Sequence, residues 1–150
     1  TLDGPPVDAG NYTVTASFAG NKNYLPGEQT ASIRIAYAAN TLTDLDRVFN
    51  AGRVAPIKIQ LLDAFGNNLS SAAITLTGLR LEQVNDDGTV TEVPLLSPGG
   101  SNPDNLFRYD PDLGGYIFNL STKGLSAGTY QFYWMNDADE VEHELSLQLV

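Results

Sequence analysis

Apolar residues recur at every second position along most of the chain. Tyr12, Val14, Ala16 and Phe18 share one parity, and so do Ala31, Ile33 and Ile35 against Ser32 and Arg34. Period two is the mark of an extended strand with one buried face. The pattern returns over 54–62, where Ile57, Ile59 and Leu61 take one face and Lys58 and Gln60 the other. It predicts further strands over 73–82, 89–95 and 106–109, with Gly78 interrupting its strand as a bulge residue would. Tyr116, Phe118 and Leu120 form another apolar face, and Tyr130, Phe132 and Trp134 the next. Val141, His143, Leu145, Leu147 and Leu149 close the series, opposite Glu142, Glu144, Ser146 and Gln148. No stretch of about 12 residues carries an apolar stripe of helical period. The fold class is all-β.

Turn formers separate these runs, with 14 Gly and 8 Pro in 150 residues. Turns fall at 63–68, 85–88 and 110–115, and SPGGSNPDN (97–105) reads as a loop. Residues 37–46 lose the alternation and read as a linker. The chain thus divides into a strand pair within 1–36, the linker, and a unit over 47–150. Roughly seven strands in the last unit is the density of an immunoglobulin-like antiparallel β-sandwich.

One phrase occurs twice. Ala9-Gly10-Asn11-Tyr12 and Ala127-Gly128-Thr129-Tyr130 each lead into an alternating strand. In such sandwiches a Tyr early in the penultimate strand bonds back to nearby backbone, forming a tyrosine corner, and the Gly before it allows the bend. One further strand follows each copy, and 118 residues separate the two tyrosines (130 − 12). Residues 1–36 are therefore expected to be the last two strands of a preceding domain, and the chain an excerpt of a longer one. Chance recurrence of a common hairpin phrase is the alternative. Two strands alone cannot bury both faces. Tyr12, Val14, Phe18, Ile33 and Ile35 are accordingly expected to lie against the second unit or a neighbouring chain. Self-association through 12–18 and 31–35 is the partner that follows, beside neighbouring domains of a parent protein.

Composition narrows the function classes. Hydrophobic residues make up 42% of the chain, enough for a packed core. No apolar run approaches the roughly 20 residues of a membrane-spanning helix. The net charge of −10, from 18 acids and 8 bases, disfavours nucleic acid and anionic lipid surfaces as partners. With no Cys, disulfides, Cys-ligated zinc and thiol catalysis are excluded.

These residue types leave four chemistries open. His143 is the lone histidine, but no Gly-x-Ser-x-Gly elbow supplies a nucleophile, and its parity places it on a core face. Paired carboxylates could cleave glycosides, yet Asp110 and Asp112 lie in a turn that Asp favours for local bonding. Asp137, Asp139, Glu140, Glu142 and Glu144 crowd one hairpin, and Asp110-x-Asp112-x-Gly114 is a partial calcium-loop pattern lacking the closing Glu. The reading taken is a solvated hairpin with no cofactor; calcium near Asp137, Asp139 and Glu140 is the alternative. Tyr133, out of phase with the core aromatics, could offer a glycan platform, whereas Trp134 is in phase with the core. Asn11, Asn68 and Asn119 open Asn-x-Ser/Thr triplets that matter only in a eukaryotic secretory host. No catalytic, cofactor-binding or metal residue is assigned.

Two stretches resemble known families. PVDAGNYTVTASFAGNKNYLPGEQTASIRI (6–35) resembles the end of the immunoglobulin-like repeats of large bacterial surface proteins, through Val7, Ala9, Gly10, Tyr12 and Val14, then Asn21, Asn23 and Tyr24. RVFNAGRVAPIKIQLLDAFGN (47–67) and FRYDPDLGGYIFNLSTKGLSAGTYQF (107–132) resemble the bacterial PxKF domain. Ile59 replaces the Phe of that Pro-x-Lys-Phe motif, and 80–104 departs from it as a variable insertion. The resemblance implies a non-catalytic structural or spacer module of a secreted or cell-surface multidomain protein. The alternative is a carbohydrate-binding accessory module of a secreted hydrolase. Neither brings catalytic residues.

Overall fold

The computed structural model describes residues 9–150, so Val7 and the rest of 1–8 in the expected strand-pair unit lie outside the described residues. Ten strands form: β1 (Gly10–Phe18), β2 (Gly27–Ile35), β3 (Ala38–Thr41), β4 (Val54–Leu62), β5 (Leu76–Val84), β6 (Val90–Val93), β7 (Arg108–Asp110), β8 (Gly115–Ser121), β9 (Gly128–Asn136) and β10 (Glu142–Leu149). Every strand pairing is antiparallel. Two four-stranded sheets, ordered β3-β4-β8-β7 and β10-β9-β5-β6, make a β-sandwich, and β1 pairs with β2 apart from both.

The alternation explains the core. Ala55, Ile57, Ile59 and Leu61 of β4 and Tyr116, Phe118 and Leu120 of β8 are buried from one sheet. Tyr130, Phe132 and Trp134 of β9, with Leu145, Leu147 and Leu149 of β10, are buried from the other. Phe118 and Phe132 meet across the gap at 5.1 Å between ring centroids, and Phe107 joins Phe118 at 5.0 Å. These tilted contacts suit the ring quadrupoles.

The bulge appears where alternation breaks. The β5–β9 register shifts between Gly78 and Arg80. Leu76 and Gly78 face the core before the shift and Leu81 after it, so Arg80 turns outward. Gly78 is needed for close packing: a Cβ there would stand 3.1 Å from both Phe118 and Phe132.

Boundaries differ from expectation in several places, among them β7, which lies at Arg108–Asp110 and not over 106–109. The expected linker 37–46 contains β3, an edge strand paired with β4 from Ala38↔Leu62 to Thr41↔Ile59. Neither face of β3 is deeply buried, so it shows no alternation. β2 begins at Gly27, not Ala31, because Gly27–Thr30 is exposed on both faces and carries no apolar signal. The strand expected over 73–82 lies at Leu76–Val84, and 89–95 shortens to Val90–Val93. Two 3-10 turns, Pro98–Gly100 and Pro103–Asn105, occupy the expected loop. There the buried Asn102 bonds both the N–H and the C=O of Asn119, standing in for a strand neighbour.

The two copies of the repeated phrase fold alike. Gly10 and Gly128 have φ of 151° and 150°, a region open in practice only to glycine. Each Tyr ring lies back over its glycine, and Gly10↔Ile35 and Tyr12↔Ile33 match Gly128↔Leu149 and Tyr130↔Leu147. The Tyr130 hydroxyl donates to the Ser126 carbonyl at 3.0 Å, completing a tyrosine corner.

Cover over β1–β2 was expected from the second unit or a neighbouring chain, and at two positions the second unit does not supply it. Phe18 and Ile33 stay 49% and 41% exposed. The reason is physical: both sheets of the sandwich already turn their apolar faces to each other.

Candidate functional site

The residues singled out for chemistry fall in three places. His143 pairs with Trp134 across β10–β9, and their rings stack at 4.3 Å with 14° between planes. His143 Nε2 is enclosed without a hydrogen-bond partner. Burial lowers the imidazole pKa, and the negative charge of Asp139 opposes the shift only in part. The ring is held as a packing element, with no nucleophile hydrogen-bonded to it among the described residues.

The acidic hairpin between β9 and β10 directs its oxygens at backbone. Asn136 Oδ1 accepts from the amides of Ala138 and Asp139. Asp137 Oδ1 accepts from the Thr75 amide at 2.9 Å. Asp139, fully buried, accepts from the amides of Tyr37 at 2.8 Å and Val141 at 2.9 Å. In the 110–115 turn, Asp110 accepts from the amides of Asp112 and Leu113, and those bonds, Leu113's foremost, hold its pKa below the usual carboxylate range. Among the described residues no three His, Cys, Asp or Glu side chains converge as a metal site requires.

Tyr133 does face outward, but its ring is covered. The guanidinium of Arg80 lies 3.7 Å from the ring centroid. Glu142 holds Arg80 through two bonds of 2.8 and 2.9 Å, and Glu82 through a third of 2.9 Å. The Arg80 bond keeps the Glu142 carboxyl below its usual pKa. Parity alone would have put Arg80 inside, and only the consequence of the bulge beside Gly78 could have revealed this cluster.

Concavities open at three places among the described residues. A cleft of about 200 Å³ opens between β4 and the segment before it, lined by Leu42, Asp44, Arg47, Val54 and Lys58 among others. A wider polar groove of about 460 Å³ lies beside Gln83, Asn85, Asp86, Thr129 and Gln148. A shallow apolar depression sits on the β1–β2 hairpin at Phe18, Leu25 and Gly27. None of the three includes His143 or Tyr133. No family model matches the chain, and no curated protein matches it.

The triplet asparagines bond residues distant in sequence. Asn11 Oδ1 accepts from Arg34 Nε, Asn68 Nδ2 donates to the Gly114 carbonyl, and the Asn119 amide donates to Asn102. Sequence reasoning missed Thr122, which is fully buried and bonds the backbone of both Asn50 and Arg53. Its pattern neighbours are loop residues, and nothing in spacing marks it.

Proposed function

We propose that the chain is a non-catalytic spacer module of a large secreted or cell-surface bacterial protein. In this reading an immunoglobulin-like sandwich follows the closing strand pair of another such domain. Lettered in chain order with β6 as C′, the sheets read A-B-E-D and G-F-C-C′, an order that supports the immunoglobulin-like part of the reading. The matched geometry at Gly10 and Gly128 supports the second part of the reading.

One observation carries the mechanical role. Residues 49–51 run parallel to the end of β10. The Phe49 amide donates to the Gln148 carbonyl, the Val150 amide to Phe49 and the Ala51 amide to Val150, at 2.8, 2.9 and 2.9 Å. Tension applied through the two ends of the sandwich pulls these segments in opposite directions. The three bonds then carry load together in shear, instead of opening one after another. Force spectroscopy on a tandem array tests this. Ala51→Pro, which removes one donor, should lower the unfolding force while native packing is retained. An unchanged force would overturn the assignment of load to this patch.

The carbohydrate-binding alternative rests on the polar groove beside Gln83 and Gln148. Arg80 covers the aromatic face that a sugar would use at Tyr133. Binding to a defined glycan on an array, abolished by Gln148→Ala, would replace the spacer reading with this one.

A further inference from the structure

β2 ends at Ile35 and β3 begins at Ala38, so Ala36 and Tyr37 alone join the hairpin unit to the sandwich. Ile35 is fixed by its pairing with Gly10. Tyr37 is fixed from the other side: its amide donates to Asp139 Oδ2 and its side chain packs against the core. Asp139 lies 102 positions further along the chain.

The setting of Asp139 is costly unless its carboxylate is well bonded. It is fully buried, and no cation forms a salt bridge with it among the described residues. Burying a carboxylate without a counter-charge is tolerated only when hydrogen bonds to it are well made. Its two oxygens take different partners, Oδ1 the Val141 amide within its own turn and Oδ2 the Tyr37 amide at the joint. The turn is itself built to present it. Asn136 Oδ1 clasps the Asp139 amide, the Glu140 amide bonds the Asn136 carbonyl, and Glu140 adopts φ of 53°, uncommon for a side chain other than glycine.

We infer that Asp139 is a positioning residue for the joint: its buried carboxylate locks Tyr37 to the β9–β10 turn, beside Ala36, which makes no backbone hydrogen bond among the described residues. The lock sets the angle at which the hairpin unit leaves the sandwich. It goes beyond the spacer reading and stands whether or not the chain bears load.

The chain has no Cys, so Ser17→Cys on the hairpin and Lys123→Cys on the sandwich give a unique pair of spin labels. Pulsed dipolar spectroscopy of the labelled 150-residue chain should return one narrow distance distribution. Adding Asp139→Ala should broaden it about twofold, because the joint's backbone loses its bond to the β9–β10 turn and keeps only the side-chain packing of Tyr37. The near-UV signal of Trp134, the lone tryptophan, should persist. A residue with a merely structural role would lower the melting temperature and leave the width alone. A broad distribution in the unaltered chain, or an unchanged width in the folded variant, overturns the inference. Hydrogen exchange in the unaltered chain decides it if the variant does not fold. Protection of the Tyr37 amide equal to that of Ile59 supports the lock, and exchange at the rate of an exposed amide overturns it.

Discussion

Arg80 stands over Tyr133, its guanidinium carbon 3.7 Å from the ring centroid, while Glu142 grips the same guanidinium from β10. One cation thus serves two interactions of different pH dependence. The Glu142 pKa is lowered, chiefly by its bond to Arg80. The stability it contributes is therefore complete above the ordinary glutamate value and lost as pH falls through the lowered one. A double-mutant cycle for Arg80 and Glu142 should show coupling at neutral pH that vanishes in acid. The cycle for Arg80 and Tyr133 should persist there, because a cation over an aromatic face needs no carboxylate. Parallel loss of both couplings in acid would show that the carboxylates of Glu142 and Glu82 hold Arg80 in place over the ring.

The tyrosine corner is testable by removing one atom. Tyr130→Phe deletes the hydroxyl that donates to the Ser126 carbonyl and leaves the buried ring. The expected cost is about 1 kcal/mol in urea denaturation, the usual value for one hydrogen bond. A cost near zero would make the bond incidental to the turn.

Equal geometry at Gly10 and Gly128 should have unequal consequences. A Cβ at either φ is strained by about 1–3 kcal/mol. Gly128 begins a strand whose side chains fill the sandwich core, whereas the hairpin carrying Gly10 pairs apart from both sheets. Gly128→Ala should lower the melting temperature of the sandwich, and Gly10→Ala should leave it unchanged. If Gly10→Ala lowers it equally, the hairpin and the sandwich share their stability.

Packing at the bulge gives a third stability test. Gly78→Ala would press a methyl group to 3.1 Å from Phe118 and Phe132, and overpacking of this kind costs about 1–3 kcal/mol. Phe118→Leu in the same chain should recover part of the loss by making room. No recovery would place the strain in the backbone and not in the rings.

These contrasts show which features period-two reading can reach. Ile57, Ile59 and Leu61 were legible because one face of β4 is buried and the other is not, and the same holds for Tyr130, Phe132 and Trp134. β3 was not, since an edge strand with half-exposed faces carries no alternation. Arg80 was hidden by the bulge, which reverses parity within a single strand. Asp139 looked like any turn acid, because its decisive partner, the Tyr37 amide, is distant in sequence and is backbone rather than side chain. Cover for Phe18 and Ile33 was expected because a strand pair cannot bury both faces alone, but parity cannot say whether the second unit has a free face to supply it.

His143 supplies the last prediction. Burial lowers its pKa from the usual 6.5, and it is the lone histidine. As pH falls below 6.5 the unfolded chain takes up a proton that the folded chain refuses, so folding stability drops until the lowered folded value is reached. Among the described residues the carboxylates with shifted pKa, Asp63, Asp87, Asp110 and Glu142, are all shifted downward from values already more acidic, which sets the window just below 6.5 apart for His143. His143→Phe, which keeps an aromatic ring against Trp134, should flatten the stability profile there. Trp134 gives an independent reading, because an imidazolium stacked at 4.3 Å quenches indole fluorescence. Emission from the folded chain should fall with a midpoint below 6.5, and a midpoint at or above 6.5 would mean that Asp139 outweighs burial at this ring.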